Sequence, residues 1–273
     1  MTFDAESIRA LEPARLYSLA GRAAVVTGAA GGLGRWLAAG LGAAGARVLV
    51  TDLVAEPLAE VEGLLREAGI EAAALETDLA DPEAPERIVA AATDRFGRLD
   101  VLVNNAAANR RMPILEMDPQ TWDFVTAIDL KAPYFLSQAA AGAMKEGDGG
   151  AIVNISSLNF AYGLEHISVY GPAKAGLSQL TRVMALEWTE YGIRANAIAP
   201  GYMDTPLAAP IWADPDRRRW ILNRVPMKRP GQPAELIGLC LLLASDAGSF
   251  ITGQTFVADG GFLAGGRWFT PDD

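Results

Sequence analysis

Short apolar runs alternate with longer stretches of helical periodicity along most of the chain. Ala23 to Thr27 (AAVVT) is a charge-free run bounded by glycines, the pattern of a buried strand. Leu33 to Ala44 is rich in Ala and Leu and predicts a helix. Arg47 to Asp52 (RVLVTD) is the next strand, and Pro57 to Ala68 the next helix, stopped at Gly69. Glu71 to Asp78 predicts a third strand, Glu83 to Phe96 a helix, and Leu99 to Asn104 a fourth strand. A long helix is expected over Pro119 to Lys145, then a strand at Ala151 to Ser156 and a helix from Tyr170 to Tyr191. Arg194 to Ala199, Pro233 to Ser245 and Thr255 to Ala258 complete the series as strand, helix and strand.

Continuous apolar strands that alternate with helices predict an α/β fold, a parallel sheet covered on both faces. No linker-like composition interrupts the rhythm, so residues 20–273 read as a single domain. Residues 1–19 form an N-terminal extension. Residues 204–229 break the pattern with Pro, Arg and Trp, and read as an inserted substrate flap.

With 273 residues and half of them hydrophobic, the chain can bury a sizeable core. A net charge of -10 argues against nucleic acid or an anionic membrane surface as the main partner. The apolar run Leu239 to Ala244 is too short to span a bilayer, and Met1 to Glu12 lacks a signal-peptide pattern. A soluble, cytoplasmic protein is expected. Cys240 is the lone cysteine, so no intrachain disulfide can form, and its apolar surroundings predict an inert core thiol. No metal site is read from the sequence.

The first strand leads into Thr27-Gly28-Ala29-Ala30-Gly31-Gly32-Leu33-Gly34 and then a helix. Glycines there permit a tight turn and let backbone amides approach a pyrophosphate at the helix N-terminus. Asp52 ends the second strand, eighteen residues beyond Gly34, where a carboxylate can accept hydrogen bonds from adenosine ribose hydroxyls. The same carboxylate repels a 2′-phosphate by about 4 kcal/mol per unit charge at about 4 Å and an effective dielectric of about 20. No basic residue stands at position 30 or 31 to offset it, so the expected cofactor is NAD. Asp78 either bonds the adenine amino group or caps the next helix. The small residues of Asn104-Asn105-Ala106-Ala107 suit backbone lying against a cofactor.

Tyr170 and Lys174 stand four apart at the start of a helical stretch, which puts them on one face. A nearby cation favours phenolate, and so prepares a tyrosine to take a proton from an alcohol.

Taken together, TGAAGGLG at 27–34, Asp52, Asp78-Leu79, NNAA at 104–107, ISS at 155–157, YGPAK at 170–174, PGYMDT at 200–205 and the closing TGQTFVADGG resemble the short-chain dehydrogenase/reductase superfamily. The likeness runs from about Leu19 to Ala264, and within the family it is greatest to gluconate 5-dehydrogenase-like and deoxygluconate dehydrogenases. It implies a Rossmann-type, doubly wound sheet of order 3-2-1-4-5-6-7. It implies Tyr170 as general acid/base, Lys174 as its cationic partner, and Ser157 as the hydroxyl that steadies the substrate oxygen. It implies cofactor contacts at Gly28, Gly32, Leu33, Gly34, Asp52, Leu53, Asp78, Leu79, Asn105, Ala106, Tyr170 and Lys174. Met203, by its backbone, and Thr205 would hold the nicotinamide amide. A homotetramer built on the long helix and the Tyr170 helix is implied as well.

The family usually carries a catalytic Asn where this chain has Asp129. Pro133 has no N–H, so the carbonyl of Asp129 is expected to be free at a helix kink and able to hold a water. The expectation is that this carbonyl keeps the role while the Asp129 side chain is tolerated; the alternative is a solvated helix residue. For substrate, Arg110 is a candidate carboxylate clamp, and Asn159, Tyr162 and His166 are candidates to bond a polyol. Ala161 departs from the Glu that relatives often carry nearby. The reaction expected is interconversion of a secondary alcohol and a ketone (or lactone) on a sugar, sugar acid or polyol. The alternatives are a cyclic or aromatic alcohol, or a regulator that binds dinucleotide without turnover.

Overall fold

β1 (Ala23–Thr27) is buried along its whole length, as a strand must be when helices cover both faces of its sheet. It pairs in parallel with β2 (Arg47–Asp52) on one side and β4 (Val101–Asn104) on the other. β3 (Ala72–Glu76) lies outside β2. β5 (Gly150–Ile155), β6 (Ile193–Pro200) and β7 (Thr255–Ala258) follow β4 in turn. The seven strands run in the order 3-2-1-4-5-6-7, as expected. This computed structural model describes Asp4, Ile8 and residues 11–266. The expected extension therefore falls partly outside the described residues. Its last residue, Leu19, is fully buried, and its amide donates to the Ala44 carbonyl at 2.8 Å.

Successive residues of each strand face opposite sides, so each strand feeds two cores. Val26, Val50, Val103 and Val153 pack with α1 (Gly32–Ala43), α2 (Ala55–Glu67) and α9 (Ile237–Ala244). Val25, Leu49, Leu102 and Ile152 pack with α3 (Ala84–Phe96), α5 (Ala132–Met144) and α6 (Tyr170–Trp188). Truncating one such buried side chain to Ala typically costs about 2–5 kcal/mol. Cys240 lies in the first core, and burial pushes its thiol up to about 12, in line with an inert thiol. Among the described residues, no helix is long and apolar enough to cross a membrane.

The strand order reverses between β1 and β4, and ligands of open α/β sheets bind at such a crevice. Here the two strand ends are stitched together. Thr27 Oγ1 accepts from the Asn105 and Ala106 amides at 3.0 and 3.1 Å, and Asn105 Nδ2 donates to the Thr27 and Gly28 carbonyls. Below this level a buried polar chain ties strands to helices. Asn104 donates to Ser137 and Asn154, and Asn154 donates to Thr181. Each bond satisfies a group that would be costly to bury alone.

The expected long helix is interrupted. α4 (Pro119–Thr126) runs into a π-helical turn at Ala127–Lys131, which passes into α5. The Ala132 amide reaches back five residues to the Ala127 carbonyl. Pro133, which cannot donate, sits one residue later. Such wide turns concentrate at functional sites. This one carries Asp129 into the interior while Lys131 on the same turn stays exposed. The 204–229 segment holds two short helices, α7 (Ala209–Ala213) and α8 (Pro215–Arg224).

Candidate active site

The loop from β1 to α1 is shaped by close approach. Gly28 has φ of +63°, and a Cβ there would lie 2.7 Å from Ala106 Cα. A Cβ on Gly34 would lie 2.2 Å from the Gly28 carbonyl oxygen, so the helix start can sit on the loop only as glycine. A Cβ on Gly32 would meet nothing within 4 Å, which leaves open space above the N-terminus of α1. Amides pointing into such a space form a pyrophosphate cradle, so the residues present fit a dinucleotide. Ala106 lies against the glycine loop, beside Asn105.

Asp52 is anchored at the edge of this cradle. Its Oδ2 accepts from the Ala30 amide at 2.9 Å and its Oδ1 from the Leu53 amide at 2.7 Å. The sequence reading missed Arg35. It stands one residue past Gly34, but its guanidinium folds back and donates to the Ala30 carbonyl at 2.8 Å. Basic charge therefore does reach the loop at position 30, from the helix rather than from the loop itself. A residue one helical turn from the loop was the available signal. Asp78 accepts from the Ala80 amide at 2.8 Å, closing a local turn, while the N-cap residue just before α3 is Glu83.

Tyr170 is the first residue of α6, and Lys174 lies one turn further in. The Lys174 Nζ stands 5.6 Å from the Tyr170 ring centroid. Ser156, just past β5, holds the helix in place by donating to the Lys174 carbonyl at 3.1 Å and sharing a 2.8 Å bond with Ser178. Ser157 follows with its hydroxyl bonded to Asn159, both through the Asn159 amide and through Oδ1 at 3.2 Å. Asn159 in turn donates to the Tyr162 carbonyl, so one of the expected polyol contacts is engaged in ordering the Ser157 loop.

Asp129 departs from the alternative of a solvated helix residue. Its side chain is fully buried, not solvated, and Oδ1 lies 3.0 Å from Lys174 Nζ. The contact is an ion pair, and the same ammonium also donates to the Ile155 carbonyl oxygen, 3.0 Å away. Oδ2 accepts from the Ala108 amide at 2.9 Å. The carboxylate, not the main chain freed by Pro133, is thus the group that meets Lys174. Burial pushes the Asp129 carboxyl up, against the pull of Lys174 and the Ala108 amide. Burial would lower the Lys174 ammonium, but the Asp129 and Tyr170 oxygens outweigh it and hold the group above its ordinary value.

An aromatic cluster lies beside the Ser157 loop. The Tyr162 and Tyr202 rings pack edge-on against Phe262 at 4.9 and 5.5 Å between centroids, and Trp220 closes the cluster at 6.2 Å. Trp212 stacks edge-on to Tyr202, and its indole N–H donates to the Met203 carbonyl at 3.1 Å. Leu158, next to Ser157, is buried in the same cluster. Tyr202 and Phe262 carried no role in the sequence reading. They come together only because the segments after β5, β6 and β7 converge. Burial pushes the Tyr202 phenol up, opposed by the Arg111 and Arg224 charges.

The Arg110 guanidinium lies over the Phe124 ring of α4, 4.9 Å from the centroid. Arg111 is the member of the pair whose charge acts on Tyr202. His166 is exposed, has φ of +65°, and serves through its carbonyl, which accepts from the Met112 amide at 3.0 Å. That bond ties the loop after β4 to the loop after β5. Thr205 caps the turn Pro206–Ala208 through its hydroxyl.

Comparison with known proteins agrees with this geometry. The family described as enoyl-(acyl carrier protein) reductase matches residues 28–263. The 2-dehydro-3-deoxy-D-gluconate 5-dehydrogenase of Escherichia coli (strain K12) is 39% identical over 91% of this chain and 98% of its own. The cis-4-hydroxycyclohexanecarboxylate dehydrogenase of Sinomonas cyclohexanicum is 42% identical over 90% of this chain and 98% of its own. The crystal structure of a gluconate 5-dehydrogenase from Burkholderia cenocepacia J2315, in complex with NADP and tartrate, superposes with a TM-score of 0.89 at 33% identity, covering 93% of this chain and all of that one. With the glycine cradle, the strand order and the Ser157, Tyr170 and Lys174 set all in place, the chain belongs to the short-chain dehydrogenase/reductase family and is an oxidoreductase that uses a nicotinamide dinucleotide.

Proposed function

We propose that the protein is an NAD-dependent dehydrogenase that interconverts a secondary alcohol and a ketone on a sugar acid or related hydroxy acid. The observation that carries this reading is the Tyr170 phenol at the head of α6, backed one turn later by a buried ammonium. The cofactor, when bound, accepts the hydride. The Lys174 ammonium stabilises Tyr170 as the phenolate, and that oxygen takes the hydroxyl proton and becomes neutral. The Ser157 hydroxyl can turn from Asn159 to the substrate oxygen as charge develops there. A purely regulatory dinucleotide binder has no need of these three groups together.

NAD is favoured by Asp52, whose carboxylate lies within the loop that meets the adenosine end. Arg35 works in the opposite direction and narrows the margin. The relative crystallised with NADP shows that the likeness extends to a protein that binds the phosphorylated form.

A carboxylate on the substrate is favoured by Arg111 and Arg224 beside the aromatic cluster. The same cluster supports a second reading, a ring alcohol bearing a carboxylate, because aromatic faces suit an apolar ring better than an open polyol. The 42% likeness to a hydroxycyclohexanecarboxylate dehydrogenase supports that reading, and the likeness to gluconate enzymes the first. The exposed apolar residues Tyr134, Phe135, Val183 and Leu186 on α5 and α6 support assembly with further copies of the chain; sedimentation as a monomer at micromolar concentration would overturn this. The test of the catalytic reading is NADH formation over a panel of sugar acids, polyols and ring hydroxy acids, by the native enzyme and by Tyr170→Phe.

A further inference from the structure

The Lys174 ammonium lies out of contact with solvent. Its side chain is almost wholly buried, and the exposed cations Lys131, Lys145 and Lys228 are the chain's other lysines. A lone ammonium in such a place loses its proton, because burial disfavours the charged form. Two oxygens prevent this: the Ile155 carbonyl from β5 and the Asp129 carboxylate from the π-helical turn. Asp129 is held in turn by the Ala108 amide, from the segment that continues the Asn105-Ala106 contact with the glycine loop.

We propose that Asp129 is a positioning residue for the reaction: its carboxylate bridges the Ala108 amide and the Lys174 ammonium, and so keeps that ammonium charged and fixed in a dry site beside Tyr170. The inference rests on the reading of Lys174 as the catalytic cation. The π-helical turn is what makes it possible, since it turns residue 129 inward. The other groups that face the pair are few. From α6 comes Tyr170, and from the end of β5 the Ile155 carbonyl; Ser156 bonds the Lys174 main chain, not its ammonium. Asp123 on α4 and Lys131 on the turn are exposed to solvent. Asp129 is therefore the one opposite charge in salt-bridge reach of Lys174 among the described residues.

Lys174 is the chain's one buried lysine, so its Cε resonance can be followed in protein carrying 13Cε-lysine, and assigned with Lys174→Met. Asp129→Asn keeps the size and the bond from Ala108 but removes the charge. The expected result is that the Lys174 titration midpoint falls by about one pH unit or more. The alkaline limb of kcat moves down by a similar interval, and the NADH dissociation constant changes less than about threefold. An unchanged midpoint overturns the proposal. So does an Asp129→Asn protein that no longer folds or binds NADH, because Asp129 would then be needed for the scaffold rather than for the charge of Lys174. The titration needs no substrate, so it can fail while the dehydrogenase reading stands, and the loss of activity in Tyr170→Phe tests that reading separately.

Discussion

Asp129 and Lys174 face each other at 3.0 Å with both side chains out of solvent. Removing one partner of a buried pair leaves an uncompensated charge and typically costs about 3–5 kcal/mol. Asp129→Ala is expected to lose stability of that order at neutral pH in urea denaturation. The pH dependence has a definite sign. In the native protein Lys174 is held above the ordinary lysine value of 10.5, so its contribution is complete below that value and is lost only as pH rises through the native one. In Asp129→Ala, burial is opposed only by the Tyr170 and Ile155 oxygens, and the native lysine is expected to give up its proton before the unfolded one does. The deficit should therefore shrink as pH rises from neutral toward about 10. A deficit that is constant over this range would show that the lost contact is packing, not charge.

Cofactor choice turns on two residues that flank position 30. Asp52 accepts from the Ala30 amide and Arg35 donates to the Ala30 carbonyl. The native enzyme is expected to prefer NAD in kcat/KM. Asp52→Ser should raise NADP use relative to NAD by about tenfold or more, and Arg35→Ala should lower it. Kinetics with both cofactors decide this, and a native preference for NADP contradicts the role given to Asp52.

Arg110 and Arg111 are adjacent in sequence but differ in surroundings. Arg110 rests on Phe124, while the Arg111 charge opposes the upward push of burial on the Tyr202 phenol. Arg111→Ala is expected to raise KM for a carboxylate substrate by about tenfold to a hundredfold, the worth of a charged hydrogen bond. A neutral analogue of the same alcohol should be little affected, and Arg110→Ala should change KM by less than about threefold. Equal effects from the two substitutions would remove Arg111 from the substrate site.

Much of this architecture was legible in the sequence for physical reasons. Strands such as AAVVT and RVLVTD are apolar on both faces because both faces are covered, and that is visible without coordinates. The glycine loop was legible because Gly28 and Gly34 are places where a Cβ collides with backbone. Side-chain reach was not legible in the same way. Arg35 belongs to the helix but acts on the loop, and Phe262 meets Tyr162 across about a hundred residues of chain. The contact of the Asp129 carboxylate with Lys174 was not legible, because Pro133 signals a kink but not that the kink widens into a π-helical turn and directs the carboxylate inward. The different surroundings of Arg110 and Arg111 were not legible, because an irregular loop has no periodicity to settle which way each side chain points.

The central claim is that Tyr170, backed by Lys174, moves the proton while a nicotinamide cofactor moves the hydride. The most direct measurement is NADH formation from a panel of sugar acids and ring hydroxy acids, comparing the native enzyme with Tyr170→Phe. The account predicts turnover on a hydroxy acid by the native enzyme and a loss of at least about a hundredfold to ten-thousandfold in kcat for the variant, with NADH binding retained. Turnover by Tyr170→Phe at the native rate would contradict it.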